Sequence, residues 1–267
     1  MGKGKPFLEV LSSAIHEDYR FPFLEFFAFL YALSTFVFAN MNIVALKVTT
    51  SEGVAYTVTS TLIGMSLIVF IVLILKNVAY GLGSDLEKGI IQTYFSYPLK
   101  RWKILTAKLV SAVGVSLLLF LGIQIAGLYI LAPDIIVPQL GTVILTYIAY
   151  MSYPLTITGI MLLLTLIFRK GGIGLVVGIV LYFSLTIVSG IVSLISGMSG
   201  SPLALQILSV ISPTYALQFY FGAVYGYSTL NWVPTLNEVL LYTGASYVIV
   251  ALLFILGHVY FSRRFNL

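Results

Sequence analysis

The sequence predicts an all-α integral membrane protein of six transmembrane helices, with an amphipathic N-terminal helix on the membrane surface and both termini cytoplasmic. Three observations lead there. Hydrophobic residues make up 60% of the chain and charged residues only 9%, against roughly 25% charged in an ordinary soluble domain. The mean hydropathy is +1.06. The 267 residues fall into apolar runs near the roughly 20 residues that one hydrocarbon crossing requires, leaving little for a separate globular domain. The chain reads as a single membrane domain. It has no cysteine, so disulfides, thiolate metal sites and cysteine nucleophiles are excluded.

Taken in order, residues 1–22 mix Lys3, Lys5, Glu9, Glu17, Asp18 and Arg20 with apolar residues at helical spacing, Phe7, Leu8, Leu11 and Ile15, before Pro22. That pattern predicts an interfacial helix rather than a cleaved signal. Spans are expected at residues 24–46, 60–82, 109–131, 140–168, 173–195 and 239–261. A polar patch at 47–59 separates the first two, and a tight turn at 132–138 the third and fourth. Arg169, Lys170, Gly171 and Gly172 mark the next reversal. Residues 196–238 are too apolar for a solvated loop and too interrupted by Pro202, Pro213 and Pro234 for a full crossing. Re-entrant or interfacial helices on the external side are predicted there.

The orientation follows from Lys and Arg, which collect in cytoplasmic loops. With both ends inside, twelve of them are cytoplasmic (Lys3, Lys5, Arg20, Lys88, Lys100, Arg101, Lys103, Lys108, Arg169, Lys170, Arg263 and Arg264), against Lys47 outside and Lys76 within a span. The net charge of +5 therefore reports topology and attraction to anionic lipid, not nucleic-acid binding.

The most charged stretch, residues 85–108, carries Asp85, Glu87, Gly89, an apolar segment from Ile90 to Ser96, Tyr97-Pro98, Arg101 and Lys108. Proline ends a helix, so a short helix lying across the cytoplasmic face is predicted. This stretch resembles the first cytoplasmic loop of the membrane subunits of type-2 ATP-binding-cassette exporters. Six spans, an N-terminal amphipathic helix, an apolar external insert with Ser212-Pro213 and a basic end at Arg263-Arg264 extend the resemblance over nearly the whole chain. Ile90 and Gln92 depart from it, standing where that family often has Thr and an acid.

The resemblance implies a plasma-membrane permease half that dimerises with an identical or related chain and couples to a separate ATPase subunit. That subunit would bind ATP and Mg, since this chain has no phosphate loop and binds no cofactor itself. The permease chain would not itself be an enzyme, ATP hydrolysis being left to that subunit. Asp85, Glu87, Gly89, Tyr97, Pro98 and Arg101 would form the coupling region, with Glu87 and Arg101 as charged contacts and Tyr97 as an apolar anchor. Closure on ATP would tilt the helices between inward- and outward-open states and export a substrate.

Other residues have plainer readings beside functional ones. Gln124, deep in a span, suits a helix-to-helix hydrogen bond or a pathway contact. Tyr147, Tyr150 and Tyr153 recur near Pro154 and read as a packing seam. Gly174 and Gly178 form a small-x-x-x-small pair, which in the resembling family falls near the dimer interface. Lys76 snorkels. Of the external aromatics Tyr215, Phe219, Tyr220, Phe221, Tyr225, Tyr227 and Trp232, most read as interfacial belt residues, with Phe219 and Phe221 as gate candidates. Gly197-Met198-Ser199-Gly200 with His258 matches a motif of intramembrane serine proteases. Topology, however, separates the two side chains by roughly 25–30 Å. An ion-coupled transporter calls for buried Asp, Glu or His near mid-membrane, which the predicted spans lack. A structural membrane subunit that moves nothing is the remaining alternative.

Overall fold

In the computed structural model, which describes residues 6–42, 50–95, 99–222 and 232–264, every regular element is helical. Helix α1 (Pro6–Asp18) meets α2 (Phe23–Asn42) at a bend of 65°. Its inward side carries Val10, Ala14 and Asp18.

Five continuous helical runs are long and apolar enough to cross a bilayer. They are Ser51–Glu87, Arg101–Leu131, α9 (Leu140–Phe168), α10 (Gly171–Ser199) and α13 (Leu236–Arg264). With the bent α1–α2 pair counted as one span there are six. The chain is thus an all-α, multi-pass membrane protein.

The first two of these runs are longer than the sequence predicts, and local chemistry explains why. The polar patch before the second span is helix-start chemistry: Thr50 is an extended N-cap whose hydroxyl accepts from the Gly53 N–H at 3.2 Å, and Glu52 lies in the first turn. α3 (Ser51–Ile74) then continues through a π-helical segment (Leu75–Leu82) into α4 (Gly83–Glu87). Likewise Arg101 to Lys108 form the first turns of the third span, not a loop before it. α6 (Arg101–Leu109) runs through a second π segment (Val110–Val115) into α7 (Ser116–Leu131).

Between the two long runs sits α5 (Ile90–Tyr94), and between α7 and α9 the single turn α8 (Pro133–Ile136). In the insert, α11 (Leu203–Ile211) packs on α10 and α13, and α12 (Thr214–Tyr220) on α13 and α9. Lys3, Lys5, Lys47, Tyr97, Pro98, Tyr225 and Tyr227 lie outside the described residues.

Aromatic rings hold the centre. Tyr31 of α2 meets Phe120 of α7 edge-on at 5.5 Å, and Phe120 meets Phe70 of α3 at 5.0 Å. Helix α10 is different, since little more than its glycine stripe is covered. Gly174 and Gly178 turn inward. A Cβ on Gly178 would stand 2.6 Å from Leu75 Cδ2 and 3.0 Å from Met161 Cε, and one on Gly174 3.2 Å from the Ala79 carbonyl oxygen. The pair expected at a contact with a second chain is therefore used inside this one, where a missing Cβ lets the first π segment and α9 come close. The opposite face of α10, with Val176, Val180, Phe183 and Ile187, is exposed.

The tightest approach is at the basic end, where backbone meets backbone. A Cβ on Gly83 would lie 2.7 Å from Gly171 Cα, and one on Gly171 2.8 Å from the Tyr80 carbonyl oxygen. Gly83→Ala must push α4 and α10 apart and is expected to cost about 1–3 kcal/mol. Gly172→Ala, which meets nothing within 4 Å, should change stability by less than about 0.5 kcal/mol. Thermal unfolding of the two variants in detergent checks the difference.

Candidate functional site

The basic helix ends gather on one side of the bundle. Gly83 of α4 touches the start of α10, Phe95 lies 6.3 Å from Phe261 of α13, and Thr106 of α6 bonds His258 at 3.1 Å. These contacts bring Lys88, Arg101, Arg169, Lys170 and Arg263 to the same end.

Beneath that rim lies a buried ion cluster. Lys108, 6% exposed, donates to Glu17 Oε2 of α1 and pairs with Asp85 Oδ2 of α4, each at 2.7 Å. Asp85 is 3% exposed. Asp18 accepts from the Ser111 hydroxyl, and Lys76 donates to the Asp18 backbone carbonyl while its ammonium sits 4.3 Å from the Phe23 ring centroid. Burial pushes the Asp18 carboxyl up to about 6, opposed by the Ser111 hydroxyl and by the charges of Lys108 and Lys76.

The two π segments pack against each other at this level. A π turn shifts the backbone ladder and leaves carbonyls poorly served. Here the Tyr19 phenol supplies a donor: its oxygen is 3.1 Å and 3.3 Å from the Ser111 and Ala112 carbonyls, and 2.8 Å from the Ser116 hydroxyl. The bend between α1 and α2 is thereby hooked onto the start of α7.

The residues expected to couple to a partner divide by position. Asp85 faces inward onto Lys108, which takes it off the outer surface; a carboxylate this deep needs a cation beside it. Glu87 is exposed and accepts the Gly171 N–H at 3.3 Å, closing the N-terminus of α10 with a negative charge. Gly89 occupies the left-handed region at φ 72°, a conformation that costs glycine little, and so swings α5 across the end of the bundle. Arg101 lies over the Phe95 ring at 5.1 Å. Ile91 is buried, while Ile90 and Gln92 point outward. Tyr97 and Pro98 fall outside the described residues.

Gln124 is fully buried and used for packing. Its Nε2 donates to Ser66 Oγ at 2.6 Å and Thr35 Oγ1 at 3.1 Å, and its Oε1 accepts from the Tyr147 hydroxyl at 3.4 Å. One amide thus joins α2, α3, α7 and α9, which makes it an interhelical tie and not a pathway contact. The three tyrosines of α9 are packing residues, set against different neighbours. Tyr147 goes to Gln124 and Tyr150 to Tyr56 at 3.5 Å. Tyr153 packs on the cluster of Ile71, Leu75 and Met161.

At the far end, Phe221 stacks on Tyr56 of α3 at 4.8 Å, and Phe219 meets Trp232 at 5.1 Å. The gate candidates therefore belong to an inward-packed aromatic cluster with Leu205, Ala216 and Val239, rather than to a lipid-facing belt. Ser199 bonds the Ser196 carbonyl beside the end of α10, whereas His258 bonds Thr106 and the Phe254 carbonyl at the basic end. Serine and histidine are each engaged apart from the other.

Neither a family model nor a curated protein matches the chain.

The sequence singled out Asp85 and Lys108 but not their mutual contact, nor the parts of Glu17, Asp18, Tyr19 and Ser111. The available signal was positional: acids and a lysine directly abutting apolar runs must find partners. Lys108→Met strands Asp85 and is expected to cost about 3–5 kcal/mol, whereas adding Asp85→Leu should recover more than half of the loss. Unfolding of the single and double variants in detergent reads both values.

Proposed function

We propose that the chain is the membrane subunit of an ATP-driven exporter of the type-2 ATP-binding-cassette class. In this reading it sits in the plasma membrane with both termini in the cytoplasm. It pairs with a second permease chain and passes a substrate outward by alternating access. Energy comes from a separate ATPase subunit that holds ATP and Mg.

The observation that carries the reading is the short helix α5 at the basic end. The chain leaves one long helix at Glu87, turns at Gly89, lays down Ile90–Tyr94 and re-enters the bundle at Arg101. Ile91 anchors this element while Ile90 and Gln92 face away from the bundle. A rigidly seated helix with an outward polar and apolar edge is a suitable docking element for a moving partner. Lys88, Arg101 and the half-exposed Trp102 flank it.

Asp85 acts behind this surface. Through Lys108 it ties α4 to α6 and to α1, so that a push on α5 is passed to three helices as one unit. A second permease chain would cover the broad apolar face of α10, and the aromatic cluster around Phe219 and Phe221 would open in the outward state.

An ion-coupled transporter is the second reading, favoured by the buried carboxylates Asp18 and Asp85. Mild-detergent recovery of the tagged chain from its native membrane separates the two. Exporter function predicts a stoichiometric ATP-binding subunit with vanadate-sensitive hydrolysis. It also predicts a loss of stimulated hydrolysis of about tenfold on Ile90→Asp with Gln92→Arg. A chain recovered without an ATPase contradicts it and favours ion coupling.

A further inference from the structure

At the bend between α1 and α2 a cavity of about 300 Å³ opens beside the ion cluster, at the low end of the range of small-ligand sites, roughly 300–1,000 Å³. Its wall includes Asn77, which is 2% exposed and whose amide nitrogen and oxygen both lack a hydrogen bond of ordinary geometry. The neighbouring Tyr19 phenol lies within reach of the Asn77 amide but is engaged with Ser116 and two carbonyls. A buried amide with hydrogen-bonding capacity left toward a cavity is costly unless something fills the cavity and bonds it.

The charges around the cavity name the filler. Four cations, Arg20, Lys76, Lys88 and Lys108, face three carboxylates. Two of those carboxylates, Glu17 and Asp85, are taken by Lys108, and Asp18 is held by Ser111. Among the described residues Arg20, Lys76 and Lys88 take part in no salt bridge. Lys76 lies within electrostatic reach of Asp18, Arg20 and Glu17, and its ammonium has three donors, of which the Asp18 carbonyl takes one. A divalent cation does not fit: the described residues contain no cluster of three potential metal ligands.

One flank of the cavity carries exposed apolar side chains. Tyr80 is 49% exposed and Ile90 36%, both lining it, and Phe21 on the bend is 80% exposed. Cations beside half-exposed rings, at the level where a surface helix joins a span, match the depth of lipid headgroups.

We infer that this cavity binds the phosphate group of a membrane phospholipid, with Arg20, Lys76 and Lys88 on the phosphate oxygens and the Asn77 amide donating from below. The acyl chains leave past Tyr80 and Phe21. The lipid thus seats on α1, α2 and the first π segment together, beside the Lys108 cluster and independent of what the protein transports.

The test uses the purified full chain, delipidated in detergent and titrated by native mass spectrometry with phosphatidylglycerol, diacylglycerol or inorganic phosphate. Phosphatidylglycerol is expected to bind and diacylglycerol not. Arg20→Gln with Lys76→Gln should weaken phosphatidylglycerol roughly tenfold or more, and Asn77→Leu several-fold. Arg263→Gln with Arg264→Gln, at the end of α13, should leave it unchanged. Arg20→Gln alone, at an exposed position, keeps the test valid if Lys76→Gln fails to fold. Equal binding of diacylglycerol, or binding by the Arg20 variant within twofold of the parent chain, overturns the site. Displacement of the lipid by millimolar inorganic phosphate overturns the lipid as its occupant in favour of free phosphate.

Discussion

Lys108 holds together the three parts of the basic end that would otherwise separate. Its ammonium reaches α1 through Glu17 and α4 through Asp85, while its own backbone belongs to α6. A lysine and an aspartate this deep are costly as single charges and acceptable only as a hydrogen-bonded set. That requirement fixes the register of the two long helices, places the π segments opposite each other and sets the floor on which α5 rests. The close contact of Gly83 with Gly171 then seats α10 on the same floor.

Much of the architecture was legible because lipid is an unforgiving solvent. Apolar runs of spanning length, the bend near Pro22 and the breaks at Asp134 and Gly171 all reappear as helix limits or turns. The starts of the runs Ser51–Glu87 and Arg101–Leu131 were not legible from hydropathy, since Ser51-Glu52 and Arg101-Trp102-Lys103 are largely polar. They are helical for local reasons, a Thr50 cap in one case and basic first turns anchored by neighbours in the other. Hydropathy marks where a helix meets hydrocarbon, not where its hydrogen bonds begin.

The candidate site was less legible, because its meaning lies in who faces whom. Asp85 and Glu87 are two residues apart, yet one is buried on Lys108 and the other caps α10. A helix turns through roughly 200° over two residues, so adjacent acids in one motif serve opposite faces. Gln124 shows the converse: its depth marked it as costly, and the structure accounts for the cost with partners on three other helices. Gly174 and Gly178 signalled a close helix contact correctly in kind, but the sequence could not say whether the partner helix belongs to the same chain.

Docking of an ATP-binding subunit on α5 is tested by photo-crosslinking from Gln92 in native membranes. A crosslinker there is predicted to capture an ATP-binding subunit, with a yield that changes when nucleotide is trapped by vanadate, while one at Val180 on α10 captures none. Adducts to lipid alone from Gln92, or the same products from both positions, would rule out docking at α5.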